Sequence, residues 1–197
     1  MTLRTVELAN KRQLRQAEEA MRRKEYALAL QLFEPLAKSG LPEAQIWMGL
    51  IHTRGAWEGM DYEKGRYWLE KALSESGSIE GCCHLGCIYL MGIGVPVDYD
   101  KAFYYFNRLK DKDHPLALLN LGLLYVGGRG VKEDLALARQ YLKRSVQLKN
   151  NAAGLYWGML ELSTGHRILA LYLFVRYGIT RAYLKLFRPH DPRLRTC

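Results

Sequence analysis

The sequence contains little of what several classes of protein depend on, beginning with proline and cysteine. It has 6 Pro and 4 Cys among 197 residues. Three of the cysteines, Cys82, Cys83 and Cys87, lie close together, and the fourth is Cys197. Cysteines in one short stretch cannot join distant parts of a chain, so they form a poor disulfide framework. We therefore expect a reducing compartment and a cytoplasmic protein.

A long hydrophobic segment is also missing. The most apolar run, residues 168–175, has only eight residues, which is too few to cross a bilayer. Residues 1–23 lack the apolar core that a secretory signal requires, and Glu7, Glu18 and Glu19 interrupt them. The sequence thus predicts a soluble chain without a membrane span.

The body of the chain has no excess of basic residues, although the formal net charge is +9. Residues 41–165 hold 14 basic and 14 acidic groups, residues 1–40 hold 8 and 5, and residues 166–197 hold 7 and 1. Nucleic-acid binding needs a basic patch on the folded domain, so we expect no nucleic-acid partner. The basic C-terminal segment suits an acidic partner or an anionic membrane surface instead.

What the sequence does contain is an internal repeat. Residues 85–102 match residues 121–138 at an offset of 36, with eight identities. The identical pairs are Leu85/Leu121, Gly86/Gly122, Tyr89/Tyr125, Gly92/Gly128, Gly94/Gly130, Val95/Val131, Asp98/Asp134 and Ala102/Ala138. A weaker copy precedes this pair, and a copy with a shortened loop follows it. A repeat of this length predicts helical hairpins stacked in a solenoid.

The glycine-rich loop at residues 127–132 could be a phosphate-binding loop or a turn. A phosphate-binding loop follows a strand and ends in Gly-Lys-Ser/Thr. Here an apolar helical pattern precedes the loop, and the copy at residues 92–98 has no lysine. We therefore predict a turn whose glycines adopt left-handed backbone angles, with Asp98 and Asp134 capping the helices that follow.

Each repeat should form a hairpin of a helix A and a helix B. Helix A is predicted at 43–54, 80–91, 116–126 and 152–164, helix B at 62–75, 99–110, 134–147 and about 167–187, and the opening unit at 5–22 and 25–38. We divide the chain into a degenerate N-terminal hairpin (residues 1–40), a repeat region (41–165) and a basic, apolar C-terminal helix with a frayed tail (166–197).

The repeat resembles the Sel1-like repeat, a relative of the tetratricopeptide repeat. The residues that carry the resemblance are Gly86, Tyr89, Gly92, Gly94, Val95, Asp98, Lys101 and Ala102 in one copy, and Ala117, Gly122, Tyr125, Gly128, Gly130, Val131, Asp134 and Ala138 in the next. We accordingly expect an all-α, right-handed α/α solenoid of about five hairpins with a C-terminal capping helix. The resemblance also implies a non-catalytic binding scaffold, of a kind often found in bacterial signalling, envelope or secretion assemblies.

A second apolar face on the A helices is predicted to line a concave groove. In residues 116–126 one face meets helix B, and the opposite face is also apolar. The positions predicted to line the groove are Ile46, Leu50, Cys83, Cys87, Leu116, Leu119, Leu123, Val126, Leu155 and Met159. An open groove of this kind marks an interaction site, so we expect a protein partner that docks as a peptide or a helix.

Two alternatives concern the C-terminal segment. Residues 167–187 could fold across the groove or cap the last repeat, because the end of a solenoid must be covered. Alternatively, the basic side chains Arg176, Arg181, Lys185 and Arg188 could hold the protein to an anionic membrane surface. The protein would then be a membrane-associated scaffold of a bacterial envelope, secretion or polysaccharide pathway, peripheral to the inner membrane face.

No pattern points to catalysis, a metal or a cofactor. Cys83, His84 and Cys87 share one helix, but a metal site needs about four converging ligands, and small buried side chains are the simpler interpretation. An enzyme or its regulatory subunit would need a convergent polar cluster, and none stands out. The sequence leaves the oligomeric state open.

Overall fold

The structure, a computed structural model, describes residues 3–54 and 57–178, and these form ten α-helices and no strand. The helices are α1 (Leu3–Arg22), α2 (Tyr26–Lys38), α3 (Pro42–Arg54), α4 (Tyr62–Ser76), α5 (Ile79–Met91), α6 (Tyr99–Asn107), α7 (Pro115–Gly127), α8 (Leu135–Gln147), α9 (Asn151–Ser163) and α10 (Arg167–Leu173), with a π-helical turn at Phe174–Gly178. The all-α fold of successive hairpins is confirmed. None of the described helices is long and apolar enough to cross a membrane.

The predicted helix boundaries hold for every helix A and fail for two B helices. Helices α3, α5, α7 and α9 begin and end within one residue of the prediction. Helix α6 ends at Asn107 because the backbone then tightens into i→i−3 bonds, such as Leu109 N to Phe106 O at 2.9 Å. Helix α10 changes to the π-helical turn after Leu173, and the rest of the predicted span lies outside the described residues.

The described chain divides into two compact units. Unit 1 comprises residues 3–88 and 92–96, and unit 2 comprises residues 89–91 and 97–178. The core of unit 1 contains the buried side chains of Phe33, Met48 and Ile51, among others. In unit 2, Leu142, Leu160 and a set of small alanines occupy the corresponding interior.

Glycines on the A helices allow close helix packing. A Cβ atom on Gly49 would lie 2.5 Å from Cγ of Leu69 on α4. In unit 2, a Cβ atom on Gly122 would lie 2.8 Å from Cγ of Leu142 on α8. Both distances are below van der Waals contact, so each helix B lies where only a glycine fits.

The glycine loop after α7 is a turn between helices. Gly128 ends α7 with φ of 59°, and Gly130 has φ of 67°. The side chain of Asp134 then accepts a hydrogen bond of 2.9 Å from the Leu137 amide at the start of α8. The loop after α5 repeats this geometry with Gly92, Gly94 and Asp98. The predicted turn and its caps are thus confirmed.

The end of the described chain packs as the second helix of the last hairpin. Helix α10 and the π-helical turn lie against α9. A Cβ atom on Gly158 would be 2.9 Å from a ring carbon of Phe174, and the ring of Tyr177 lies against Gly154. As far as Gly178, therefore, the C-terminal segment packs on α9 in the manner of a helix B.

Candidate functional site

The structure places the ten predicted groove residues at very different depths. Cys83, Cys87 and Leu119 are 2%, 0% and 3% exposed. These three side chains belong to the core, because they point into the packed interior of their units, and they offer no accessible surface to a partner. Ile46, Leu50, Leu116, Leu123, Val126 and Leu155 are half-buried, and Met159 is exposed.

Unit 1 has a cleft on the predicted face of its A helices. Its volume is about 610 Å³. Helix α3 supplies four side chains at positions 43, 46, 47 and 50, a spacing that places them on one face of a helix. The residues that define this α3–α5 cleft are Glu43, Ile46, Trp47 and Leu50 on α3, and Glu80 and His84 on α5. The cleft thus has an apolar floor with a carboxylate from each helix.

The floor of the α3–α5 cleft is held in place from behind. The indole of Trp47 stacks on the buried ring of Phe33, with ring centroids 5.8 Å apart and an interplanar angle of 14°. The buried amide of Gln45 donates hydrogen bonds to Ala37 O at 3.2 Å and to the Glu75 carboxylate at 2.7 Å. These contacts fix α3 against α2 and α4, so the packing inside unit 1 sets the shape of the cleft floor.

The carboxylate of Glu43 is in an unfavourable electrostatic position. Glu43 is exposed, but partial desolvation of its carboxylate raises its pKa, and the nearby carboxylate of Glu18 on α1 raises it further. No ion pair joins Glu43 or Glu80 to a basic side chain within the described ranges. Glu75 differs, because Lys71 lies 3.7 Å from its carboxylate. The two cleft carboxylates therefore remain available to an external cation.

In unit 2 the predicted groove positions form a shallower surface. Leu116, Leu123 and Val126 pack onto the core of that unit and are only partly accessible. Met159 on α9 is 58% exposed.

Helix α10 adds an apolar surface that the sequence analysis did not single out as a face. Four exposed apolar side chains follow the i, i+3, i+4, i+7 spacing of one helix face: Ile168, Leu171 and Tyr172 on α10, and Val175 in the π-helical turn. The helical spacing of these apolar residues could have predicted this face from the sequence.

A buried polar cluster in unit 2 is structural in character. Glu161 on α9 is 1% exposed. Its carboxylate accepts two hydrogen bonds from Arg139 at 2.6 and 3.2 Å and one from the Trp157 indole at 2.6 Å, and His166 Nδ1 lies 2.8 Å away. Burial opposes ionisation, but these hydrogen bonds outweigh it and lower the pKa of Glu161. A carboxylate with this many partners holds helices together and has no free lone pair for chemistry.

The basic C-terminal residues are only partly described. Arg176 donates a hydrogen bond of 3.1 Å to the Tyr172 hydroxyl and lies over the ring of Tyr177. Arg181, Lys185 and Arg188, the other three predicted membrane contacts, lie outside the described residues.

The cysteines near α5 do not form a metal site in the described part of the chain. No group of three or more His, Cys, Asp or Glu side chains there is arranged to hold a metal ion. Burial, reinforced by Cys82, raises the pKa of the free thiol of Cys83 to about 12. Cys87 is fully buried, at 0% exposure.

Comparisons with known proteins agree with the hairpin architecture. A family model for the Sel1 repeat matches residues 42–76, 79–114 and 115–150. A crystal structure of a Sel1 repeat protein from Oxalobacter formigenes superposes with a TM-score of 0.74 at 20% identity, covering 88% of this chain and 74% of that one. The crystal structure of c5321, a protective antigen of uropathogenic Escherichia coli with an SLR fold, superposes with a TM-score of 0.67 at 23% identity and covers 86% of this chain. This chain spans 38% of c5321.

At these identities the two structural likenesses show the fold, an α/α solenoid of Sel1 repeats. A comparison with curated protein sequences found no significant match.

Proposed function

Because the three matched repeats cover more than half of the sequence, the chain belongs to the Sel1 repeat family, and we propose that it is a non-catalytic adaptor that binds a peptide or helix of a partner protein. Proteins built from Sel1 repeats generally serve as scaffolds for protein interactions. The finer proposal concerns where the partner docks: in the α3–α5 cleft of unit 1.

The α3–α5 cleft is the observation that carries this proposal. It is concave, it is formed by packed helices, and its floor consists of Ile46, Trp47 and Leu50. Apolar concave sites with a few polar groups at the edge are typical binding sites. A helix or an extended peptide can lay one apolar face on such a floor, and each square ångström of apolar surface that it buries contributes about 25 cal/mol.

Site-specific photo-crosslinking tests the docking site. A photoreactive phenylalanine analogue placed at Leu50 should yield a crosslinked partner in cells of the source organism. The same analogue at Tyr67, an exposed position on α4 that does not line the cleft, should not. Circular dichroism and urea unfolding of both proteins control for folding. Equal crosslinking at the two positions, or none at Leu50 in a folded protein, would contradict the proposal.

A membrane-surface scaffold is the second candidate, and one observation favours it. The exposed apolar face of α10 lies close to the cations Arg167 and Arg176, as expected for a helix that lies in a membrane interface. The protein would then serve a bacterial envelope, secretion or polysaccharide pathway. Co-sedimentation with anionic vesicles separates the two candidates. Binding that is lost in the Ile168→Ser plus Leu171→Ser variant supports this second function, and absence of binding by the wild-type protein contradicts it.

A further inference from the structure

The charges around the α3–α5 cleft have the opposite sign to the molecule as a whole. The chain has a formal net charge of +9, but residues 41–96 carry four basic and seven acidic side chains, a net charge of −3. Within the described residues that line the cleft there is no Lys or Arg, and the ionisable groups are Glu43, Glu80 and His84. Glu18 adds a further negative charge close to Glu43.

The two cleft carboxylates occupy equivalent places in successive repeats. Glu43 lies in the first turn of α3 and Glu80 in the first turn of α5. Both carboxylates therefore stand at one edge of the apolar floor, at the amino-terminal ends of the two helices that form it. A ligand that covers the floor must pass this edge, so its own charge there decides whether it is attracted or repelled.

The stacked indole of Trp47 suits a cationic ligand as well. The Trp47 side chain lines the cleft together with Glu43, and an indole ring attracts an ammonium or guanidinium group. An Arg or Lys side chain could thus place its apolar stem on the floor and its charged head at the acidic edge. An acidic side chain in the same place would meet Glu43, Glu80 and Glu18, and like charges brought together in this way oppose binding.

We propose that the α3–α5 cleft selects a cationic amphipathic segment of a partner protein, with Lys or Arg directed to Glu43 and Glu80 and apolar side chains placed on Ile46, Trp47 and Leu50. This proposal rests on the proposed adaptor function, because it specifies the partner chemistry of the same cleft. A charge-assisted contact to a carboxylate is stronger than a neutral one, so the acidic edge supplies selectivity and the floor supplies buried area.

Selection from a displayed peptide library tests the chemistry without knowledge of the natural partner. The probe is a phage library of random peptides of about 12 residues, the length of a typical helix. Wild-type protein should enrich peptides in which Lys or Arg is followed by apolar residues three or four positions later. Enrichment of neutral or acidic peptides, or no enrichment at all, would overturn the proposal.

Variants then assign the selectivity to the two carboxylates. Glu43→Gln plus Glu80→Gln should weaken binding of the selected peptide by about tenfold or more, because charge-assisted hydrogen bonds are lost. The matched control is Glu63→Gln plus Glu70→Gln, which removes two exposed carboxylates of α4 that do not line the cleft. This control should bind as wild type does, in fluorescence anisotropy near neutral pH.

Reversing the charge of the two carboxylates tests the selectivity most directly. Glu43→Lys plus Glu80→Lys should reject the cationic peptide and prefer its Lys→Glu counterpart, and raising the salt to about 0.3 M should weaken both pairs through screening. Equal binding of the cationic peptide by wild type, the double Gln variant and the reversed variant would overturn the proposal. Crosslinking at Leu50 distinguishes failure of the cationic selectivity from failure of the adaptor function. If crosslinking persists while cationic selectivity is absent, the cleft docks a partner of different chemistry.

Discussion

At the scale of the residue, folding disfavours the ionised form of Glu43 relative to its neutral form. Partial desolvation and Glu18 raise its pKa above the ordinary value of 4.5. A group whose pKa is raised by folding contributes stability below its unfolded pKa, and this contribution is lost as the pH rises through the folded pKa. At neutral pH the ionised carboxylate therefore costs the folded state free energy, which a bound cation would offset.

We predict that Glu43→Gln raises the free energy of unfolding at pH 7, and that the gain shrinks towards zero near pH 4, where wild-type Glu43 is protonated. Urea unfolding across this pH range measures the difference. Glu63→Gln is the matched control, since Glu63 also lies in the first turn of its helix. A gain of equal size at both pH values would contradict the electrostatic explanation.

Gly122 offers a test of the close packing between α7 and α8. A Cβ atom there would lie 2.8 Å from Leu142 Cγ and 3.3 Å from Ala138 O. Overpacking of this kind costs about 1–3 kcal/mol, and alanine gains roughly 1 kcal/mol over glycine in a helix. The difference leaves a net cost, so we expect Gly122→Ala to lower the free energy of unfolding by about 1 kcal/mol.

The control for this substitution lies on the same helix. At Gly127 a new Cβ would meet only the flexible side chain of Arg129 at 3.2 Å, so Gly127→Ala should be neutral or stabilising. Thermal unfolding followed by circular dichroism compares the two variants. If both have the same stability, the close approach of α8 does not require a glycine.

Single residues are also where prediction of the groove from the sequence was weakest. Helix α7 is apolar on every side, so spacing identifies two apolar faces without saying how deeply each is covered. Leu119 was predicted to line the groove and is 3% exposed. Its neighbour in the pattern, Leu123, remains partly accessible. Depth depends on the side chains of α8 and α9, which the pattern of α7 does not contain.

At the scale of the element, the Glu161 cluster joins three helices through one carboxylate. Arg139 belongs to α8, Glu161 and Trp157 belong to α9, and His166 directly precedes α10. Removing one partner of a buried ion pair leaves an uncompensated charge. The Arg139 side chain is 28% exposed, so water compensates for part of the loss.

We expect Glu161→Gln to lower the free energy of unfolding by about 2 kcal/mol at pH 7, less than the cost of breaking a fully buried pair. The lowered pKa of Glu161 means that its stabilisation is present above pH 4.5 and disappears as the pH falls through the folded pKa. The difference in the free energy of unfolding between variant and wild type should therefore vanish in acid, as measured by urea unfolding. Glu133→Gln, an exposed change in unit 2, controls for the loss of a charge, and a gap that is independent of pH would argue against the ion pair.

Element boundaries were predictable wherever local chemistry sets them. The repeat places a glycine at the end of α7 and an aspartate before α8, and both act as predicted. Helix α10 was not predictable in the same way. Its change to a π-helical turn accompanies the packing of Phe174 and Tyr177 against glycines of α9, a tertiary contact that no local residue preference encodes.

At the scale of the whole molecule, the offset of 36 residues was enough to predict the order of the hairpins, and the resemblance of the repeated residues to the Sel1-like repeat predicted the family. The α3–α5 cleft was only partly predictable. Ile46 and Leu50 were identified by spacing, but Trp47 was missed because it falls one position outside the predicted stripe, and it lines the cleft while stacking on Phe33. A site formed by two helices depends on how far one helix is shifted along the other, and the pattern of apolar residues in the sequence does not specify this shift.

The buried thiol of Cys83 is a built-in probe of how often unit 1 opens. With 2% exposure and a pKa raised to about 12, the sulfur is neither accessible nor ionised in the folded state, and only a thiolate is alkylated readily. Iodoacetamide should therefore modify Cys83 only while unit 1 is open, at a rate that follows the opening free energy. Mass spectrometry of the labelled peptide reads that rate, and a ligand of the α3–α5 cleft should slow it. Labelling of Cys83 as fast as in urea-unfolded protein would show that the thiol is accessible in the native state.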